Sequence, residues 1–142
     1  MKHLVDTCGW IEWLTNSKLA SLFEPYLKHP AELIVPTLVQ YELYKWVCRE
    51  KSVTFALEVI GITESGTVTP LDTSLALYAA DISKEYNLSM ADAIVYATSK
   101  NNNALLITSD KHFKNIPHIK YFEKTKKSRK SDKNELADEE GR

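Results

Sequence analysis

The chain has 142 residues, 44% hydrophobic and 26% charged, with a net charge of −1 at pH 7. That length fits one domain with a real hydrophobic core, and the near-zero charge excludes a generally basic nucleic-acid coat. No apolar run approaches the ~20 residues of a membrane-spanning helix, and two cysteines, Cys8 and Cys48, without CxxC or Cys/His spacing exclude a disulfide framework or structural zinc site. Both cysteines read as small buried hydrophobes in a reducing compartment. Asp6 stands where a signal peptide would need its apolar core, so the expected location is cytoplasmic.

In chain order, residues 2–6 form a short apolar run that reads as a buried strand ending in Asp6. Helical patterns follow over 9–15 and 17–28, the second holding Pro25, which caps, kinks or splits it. A second strand is expected over 32–36, then a helix over 37–51 with Thr37 as its N-cap and a continuation over 53–62. A strand over 67–71 precedes a helix pair over 73–86 and 89–100. A strand over 104–108, a turn over 111–115 and a strand over 118–122 complete the set. Strands alternating with helices predict an α/β fold, with crossover connections and a central, mainly parallel five-stranded sheet covered on both faces. Trp10, Ile11, Trp13, Leu14, Phe23, Tyr26 and Leu27 crowd the first two helices. They read as core or, if exposed, as a partner surface.

Residues 1–123 read as the domain. Residues 124–142 are first basic and then acidic, with only Leu136 and Ala137 apolar, and read as a charged, disordered tail. The other reading of the tail is a basic arm on RNA phosphates. Without it the chain holds eleven basic and fourteen acidic residues.

Four acids carry the chemistry. Asp6 and Asp110 each follow a buried strand, at the carboxyl edge where open α/β sheets place their sites. Each also suits a turn or a helix N-cap. Glu42 lies in TLVQYELYKWV. On a helix turning about 100° per residue, Leu38, Glu42, Trp46 and Val39 fall within roughly one 100° arc. Glu42 thus points from the apolar face, and an uncompensated buried carboxylate costs several kcal/mol or changes protonation state. A metal ion or a buried Lys or Arg would offset that cost, unless the helix is rotated so that Glu42 reaches solvent at its edge. Asp92, in LSMADAIVYATSK, completes a capping pattern with Ser89 and flanks an inward stripe of Ala91, Ile94, Val95 and Thr98. Four carboxylates brought together raise each other's pKa. Mg²⁺ or Mn²⁺ resolves that conflict with oxygen ligands and can activate water for in-line attack on a phosphodiester. Lys45, Arg49, Lys111 and Lys114 are candidate phosphate contacts on the rim. His3, His29, His112 and His118 are scattered and read as surface or strand residues, His112 alone lying near the proposed edge.

At LVDTCGWI, PTLVQYEL, LSMADAIVYATS and LLITSDKHF the sequence resembles the PIN-domain family, and within it the VapC-type toxins of toxin–antitoxin pairs, over about residues 2–122. The resemblance implies a PIN-like three-layer α/β/α fold and Mg²⁺- or Mn²⁺-dependent endoribonuclease activity. It also implies a homodimer and inhibition by a cognate antitoxin, whose carboxyl-terminal extension places an Arg or Lys among the acids. The family's catalytic and metal-binding acids carry over to Asp6, Glu42, Asp92 and Asp110, and its supporting hydroxyls to Thr7 and Thr108. Single-stranded or loop RNA is the expected substrate, because a small acidic pocket does not reach into an A-form duplex.

Three other readings stay open. One is a PIN-fold RNA-processing nuclease that is not a toxin. Another is a non-catalytic RNA- or partner-binding module, against which the presence of all four acids counts. The third is a phosphoryl-transfer domain. A dehalogenase-type site would want D-x-D where Thr7 and Cys8 follow Asp6, and a receiver would want an acidic pair after the first strand, although Asp72 lies near the end of the third.

Overall fold

Short apolar runs bounded by breakers become strands. They are β1 (His3–Val5), β2 (Leu33–Pro36), β3 (Thr67–Thr69), β4 (Leu105–Thr108) and β5 (Ile119–Tyr121) in the computed structural model, which describes residues 1–124. Residues 125–142, all but the first of the expected tail, lie outside the described residues. The helices are α1 (Thr7–Leu14), α2 (Ala20–Leu27), α3 (Thr37–Glu50), α4 (Val53–Thr63), α5 (Thr73–Tyr86) and α6 (Met90–Asn101). Short 3-10 turns occupy Pro30–Glu32 and Lys111–Phe113. Among the described residues no helix is long and apolar enough to cross a membrane.

All four strand pairings are parallel, in the order β3-β2-β1-β4-β5. Travel across the sheet runs one way from β1 to β3, then returns past β1 to β4. With right-handed crossovers, that reversal sends α5 and α6 to the opposite face from the earlier helices. The result is the expected three-layer α/β/α arrangement. Leu4, Val5, Leu33, Ile34, Val35, Leu106 and Ile107 are all buried, as central parallel strands with both faces covered require. α6 is buried from Ala93 through Ser99, so it is a central helix and not one with a single inward stripe.

Several boundaries move, each for a local reason. α1 begins at Thr7 because the Asp6 carboxylate accepts its N–H. Pro36, not Thr37, holds the N-cap of α3, without a side-chain cap bond. α2 runs through Pro25. β3 stops before Pro70, which has no N–H for the ladder. β5 starts at Ile119 because His118 takes a positive φ of 63°. Asn16, Asn87, Asn103 and Asn115 are also left-handed, a conformation asparagine tolerates better than most residues.

The aromatic cluster of the first two helices is core. Trp10, Phe23 and Leu27 are buried, and Ile11, Trp13, Leu14 and Tyr26 pack against them. Apart from Leu22 on α2, exposed apolar side chains lie elsewhere, including Val53, Phe55, Leu57 and Ile62 on α4 and Tyr41 on α3.

Candidate active site

β1 and β4 are neighbours where the strand order turns back, the position at which open α/β sheets form a crevice outside their carboxyl ends. Asp6 directly follows β1, and its N–H bonds the Ile107 carbonyl at 3.0 Å. Thr108 ends β4, and Asp110 follows two residues later. The first turn of α6 contributes Asp92, where the Ser89 hydroxyl accepts the Asp92 N–H at 3.4 Å. The α3 helix contributes Glu42.

Asp6 is 6% exposed, and its carboxylate is tightly held. Oδ1 accepts the Thr7 N–H at 2.8 Å, and Oδ2 accepts the Thr108 hydroxyl at 2.9 Å. The same Thr108 oxygen accepts the Asp110 N–H at 3.0 Å. One buried hydroxyl therefore ties both strand-end aspartates together. The Thr7 hydroxyl donates to Glu42 Oε1 at 2.7 Å, joining α1 to α3. Glu42 is half-buried at the border of the stripe formed by Val39, Leu43 and Val47. It does not stand at the centre of that stripe as its helical angle suggested.

Thr108→Val keeps the shape of a fully buried side chain but removes the bonds to Asp6 and Asp110 and the 3.5 Å contact with the Cys8 thiol. It should destabilise the fold by roughly 1–3 kcal/mol through the unsatisfied Asp110 N–H and Asp6 oxygen. Urea unfolding would measure the loss, and an unchanged midpoint would refute the tie.

Asp92, Asp110 and His112 form a second, outer group. Each offers one ligand atom, and these atoms lie within 4.8 Å of one another. His112 Nδ1 is 3.0 Å from Asp110 Oδ1 and 3.5 Å from Asp92 Oδ2. Asp110 also caps the Lys111–Phe113 turn by accepting the His112 N–H at 2.9 Å, so capping and site placement coincide in one residue. The donor set of two carboxylates and an imidazole suits a divalent metal.

Electrostatics reflect the crowding. Burial pushes Asp6 up to about 7, helped by Asp110 and Asp92 and opposed by the Thr108 hydroxyl and Thr7 N–H. Burial likewise raises Glu42, with Asp92 and Asp110 adding and Thr7 opposing. Asp92 is raised by burial and then by Asp110, against His112. Such conflict among acids is what a bound cation relieves.

On the predicted basic rim, Lys45 lies 5.9 Å over the Tyr41 ring, Arg49 pairs with Glu50 at 3.1 Å and Lys114 pairs with Glu123 at 3.1 Å. Lys111 is exposed directly beside Asp110. Three residues that the sequence did not mark as functional stand at the acids. His112 belongs to the acid cluster, and the signal for it was the Asp-Lys-His spacing. A capping Asp that bonds the N–H two residues on folds that residue back toward its carboxylate. Cys8 and Ser109 lie beneath the acids, the Cys8 thiol standing 3.7 Å from Asp6 Oδ2 and 3.4 Å from the Ser109 hydroxyl. Burial and Asp6 push Cys8 up to about 12, so it serves as a thiol in polar contact and not as a simple hydrophobe.

A family model for the PIN domain matches residues 3–119. The chain belongs to the PIN domain family, a family of nucleases. Its fold is similar to that of a toxin–antitoxin complex from Klebsiella pneumoniae, with 18% identity and a TM-score of 0.71 over 83% of this chain and 95% of that one. A DNA-bound VapBC from Salmonella typhimurium aligns at 17% identity and 0.67, covering 87% and 98%. VapC20 of Mycobacterium tuberculosis, a sarcin-ricin loop cleaving toxin, aligns at 14% identity and 0.68, covering 84% and 98%. A comparison of the sequence with curated proteins finds no match.

Proposed function

We propose that this chain is a Mg²⁺- or Mn²⁺-dependent endoribonuclease and the toxin of a toxin–antitoxin pair. The observation that carries the reading is the convergence of Asp6, Glu42, Asp92 and Asp110 at the β1–β4 switch point, with Thr108 tying Asp6 to Asp110 and Thr7 tying Asp6 to Glu42. These oxygens fit a hard cation, which Asp92 and Asp110 would hold with Asp6 behind them. When bound, such a cation activates water and stabilises charge on the phosphodiester. Glu42, anchored through Oε1 by Thr7, has its other oxygen to orient the attacking water and take its proton. Water adds to phosphorus, its proton passing to Glu42, the P–O bond to the leaving oxygen breaks, and that oxygen takes a proton from solvent as it leaves. Thr7 and Thr108 keep the carboxylates aligned. Lys111, Lys45 and Arg49 serve as phosphate contacts for a single-stranded or loop RNA.

The likeness to solved toxin–antitoxin complexes supports an antitoxin as partner. The exposed apolar side chains of α4 supply a surface for that partner or for a second copy in a homodimer.

Cleavage of a mixed tRNA and structured-RNA panel in Mg²⁺, Mn²⁺ or EDTA tests the activity. Wild type should cut only with metal. Asp92→Asn should lose about a hundredfold or more, in line with removing one charge-stabilising group. Equal cutting by Asp92→Asn would remove Asp92 from the mechanism. Wild-type cutting in EDTA would end the metal-dependent reading.

A further inference from the structure

We infer that His112 supplies an imidazole nitrogen to the cation held by Asp92 and Asp110, and thereby biases the site toward Mn²⁺ over Mg²⁺. The inference rests on the reading of this site as a metal centre and adds a ligand and a metal preference to it.

Position is the first argument. Adjacent ligands of an octahedral ion with bonds near 2.1 Å are separated by about 3 Å. His112 Nδ1 stands 3.0 Å from Asp110 Oδ1 and 3.5 Å from Asp92 Oδ2, the first at the spacing of adjacent ligands, and donor atoms of all three residues lie within 4.8 Å of one another. Rigidity is the second. The His112 N–H is fixed on Asp110, and the next residue, Phe113, is fully buried with its ring 6.5 Å from that of Tyr96. The backbone that carries the imidazole is thus anchored on both sides. Packing does not account for where the ring points, since its side chain is 65% exposed and an ion pair at that exposure contributes little.

Ligand chemistry sets the metal preference. Mg²⁺ holds to oxygen and water, whereas imidazole suits transition metals better than it suits Mg²⁺. A site built only from carboxylates would discriminate less.

Topology makes the test clean. His3 opens β1, His29 precedes the turn before β2 and His118 precedes β5. All three therefore lie toward the amino ends of parallel strands, opposite the acids. A metal-bound imidazole signal has one source.

The experiment is pulsed electron paramagnetic resonance on the full chain loaded with Mn²⁺, with and without ¹⁵N-histidine, beside calorimetric titration of Mn²⁺ and Mg²⁺. Wild type should show nitrogen coupling that changes with the isotope. His112→Ala, at an exposed position that leaves folding intact, should lose the coupling and weaken Mn²⁺ about tenfold, with Mg²⁺ affected less. Mn²⁺ bound by wild type without nitrogen coupling, or coupling retained in His112→Ala, would overturn the inference and leave the metal centre standing. Wild type that binds no Mn²⁺ would overturn both.

Discussion

Asp6→Asn is expected to abolish metal-dependent cleavage while stabilising the metal-free protein at neutral and alkaline pH. The carboxyl is almost fully buried. Burial, with help from Asp110 and Asp92, lifts it from 3.8 to about 7. Between those values the folded protein holds a proton that the unfolded chain has released. Stability therefore falls as pH rises through this window, and the full cost applies above about 7. At ~1.36 kcal/mol per factor of ten in proton affinity, that cost is on the order of 4 kcal/mol. Glu42 and Asp92, also raised, act in the same direction. Asparagine removes the charge but keeps the shape, with its oxygen available to the Thr7 N–H and its amide facing a Thr108 hydroxyl able to turn and accept. Urea unfolding in EDTA should show wild type losing about 2–3 kcal/mol between pH 5 and 8, most of which Asp6→Asn recovers. Added Mn²⁺ should stabilise wild type at pH 8 and the variant far less. A flat wild-type profile, or a variant that cuts like wild type, would refute this account of Asp6.

Gly9→Ala should be the most damaging single-methyl change near the site. A Cβ at Gly9 would stand 2.6 Å from Phe23 Cδ1 and Cε1 and from Val5 Cγ1. Both neighbours are buried core side chains with no room to withdraw. Alanine gains about 1 kcal/mol in helix propensity, but overpacking a dense core costs roughly 1–3 kcal/mol or more. Three simultaneous overlaps place this case at the upper end, for a net loss of about 2 kcal/mol. Displacing α1 would also shift Thr7, which links Asp6 to Glu42, so activity per folded molecule should fall. Gly61→Ala is the internal control. Nothing lies within 4 Å of its added methyl, and this helical glycine should yield a gain of about 0.5–1 kcal/mol. A Gly9→Ala midpoint at or above wild type would show that the α1–β1 contact is looser than described.

What the sequence by itself determined is local. Five short apolar runs and the helical patterns between them marked every strand and every α-helix among the described residues, since periodicity and breaker residues act within a few positions. The placement of Asp6 and Asp110 at strand ends follows from the same runs, as does Ser89 as the cap before Asp92. Several boundaries moved where a neighbour decides the backbone: Asp6 ahead of α1, Pro36 ahead of α3, Pro70 after β3, and His118 turned left-handed before β5. Tertiary structure alone decided which strands are adjacent, and therefore that Asp6 and Asp110 share Thr108, a bond that joins residues 102 apart. It also decided that Glu42 borders the buried stripe, that Gly9 must lack a side chain, and that His112 folds onto two acids. Periodicity reports which face of an element is apolar. It carries nothing about what that face meets, because parallel pairing and helix docking are settled by packing between segments distant in the chain.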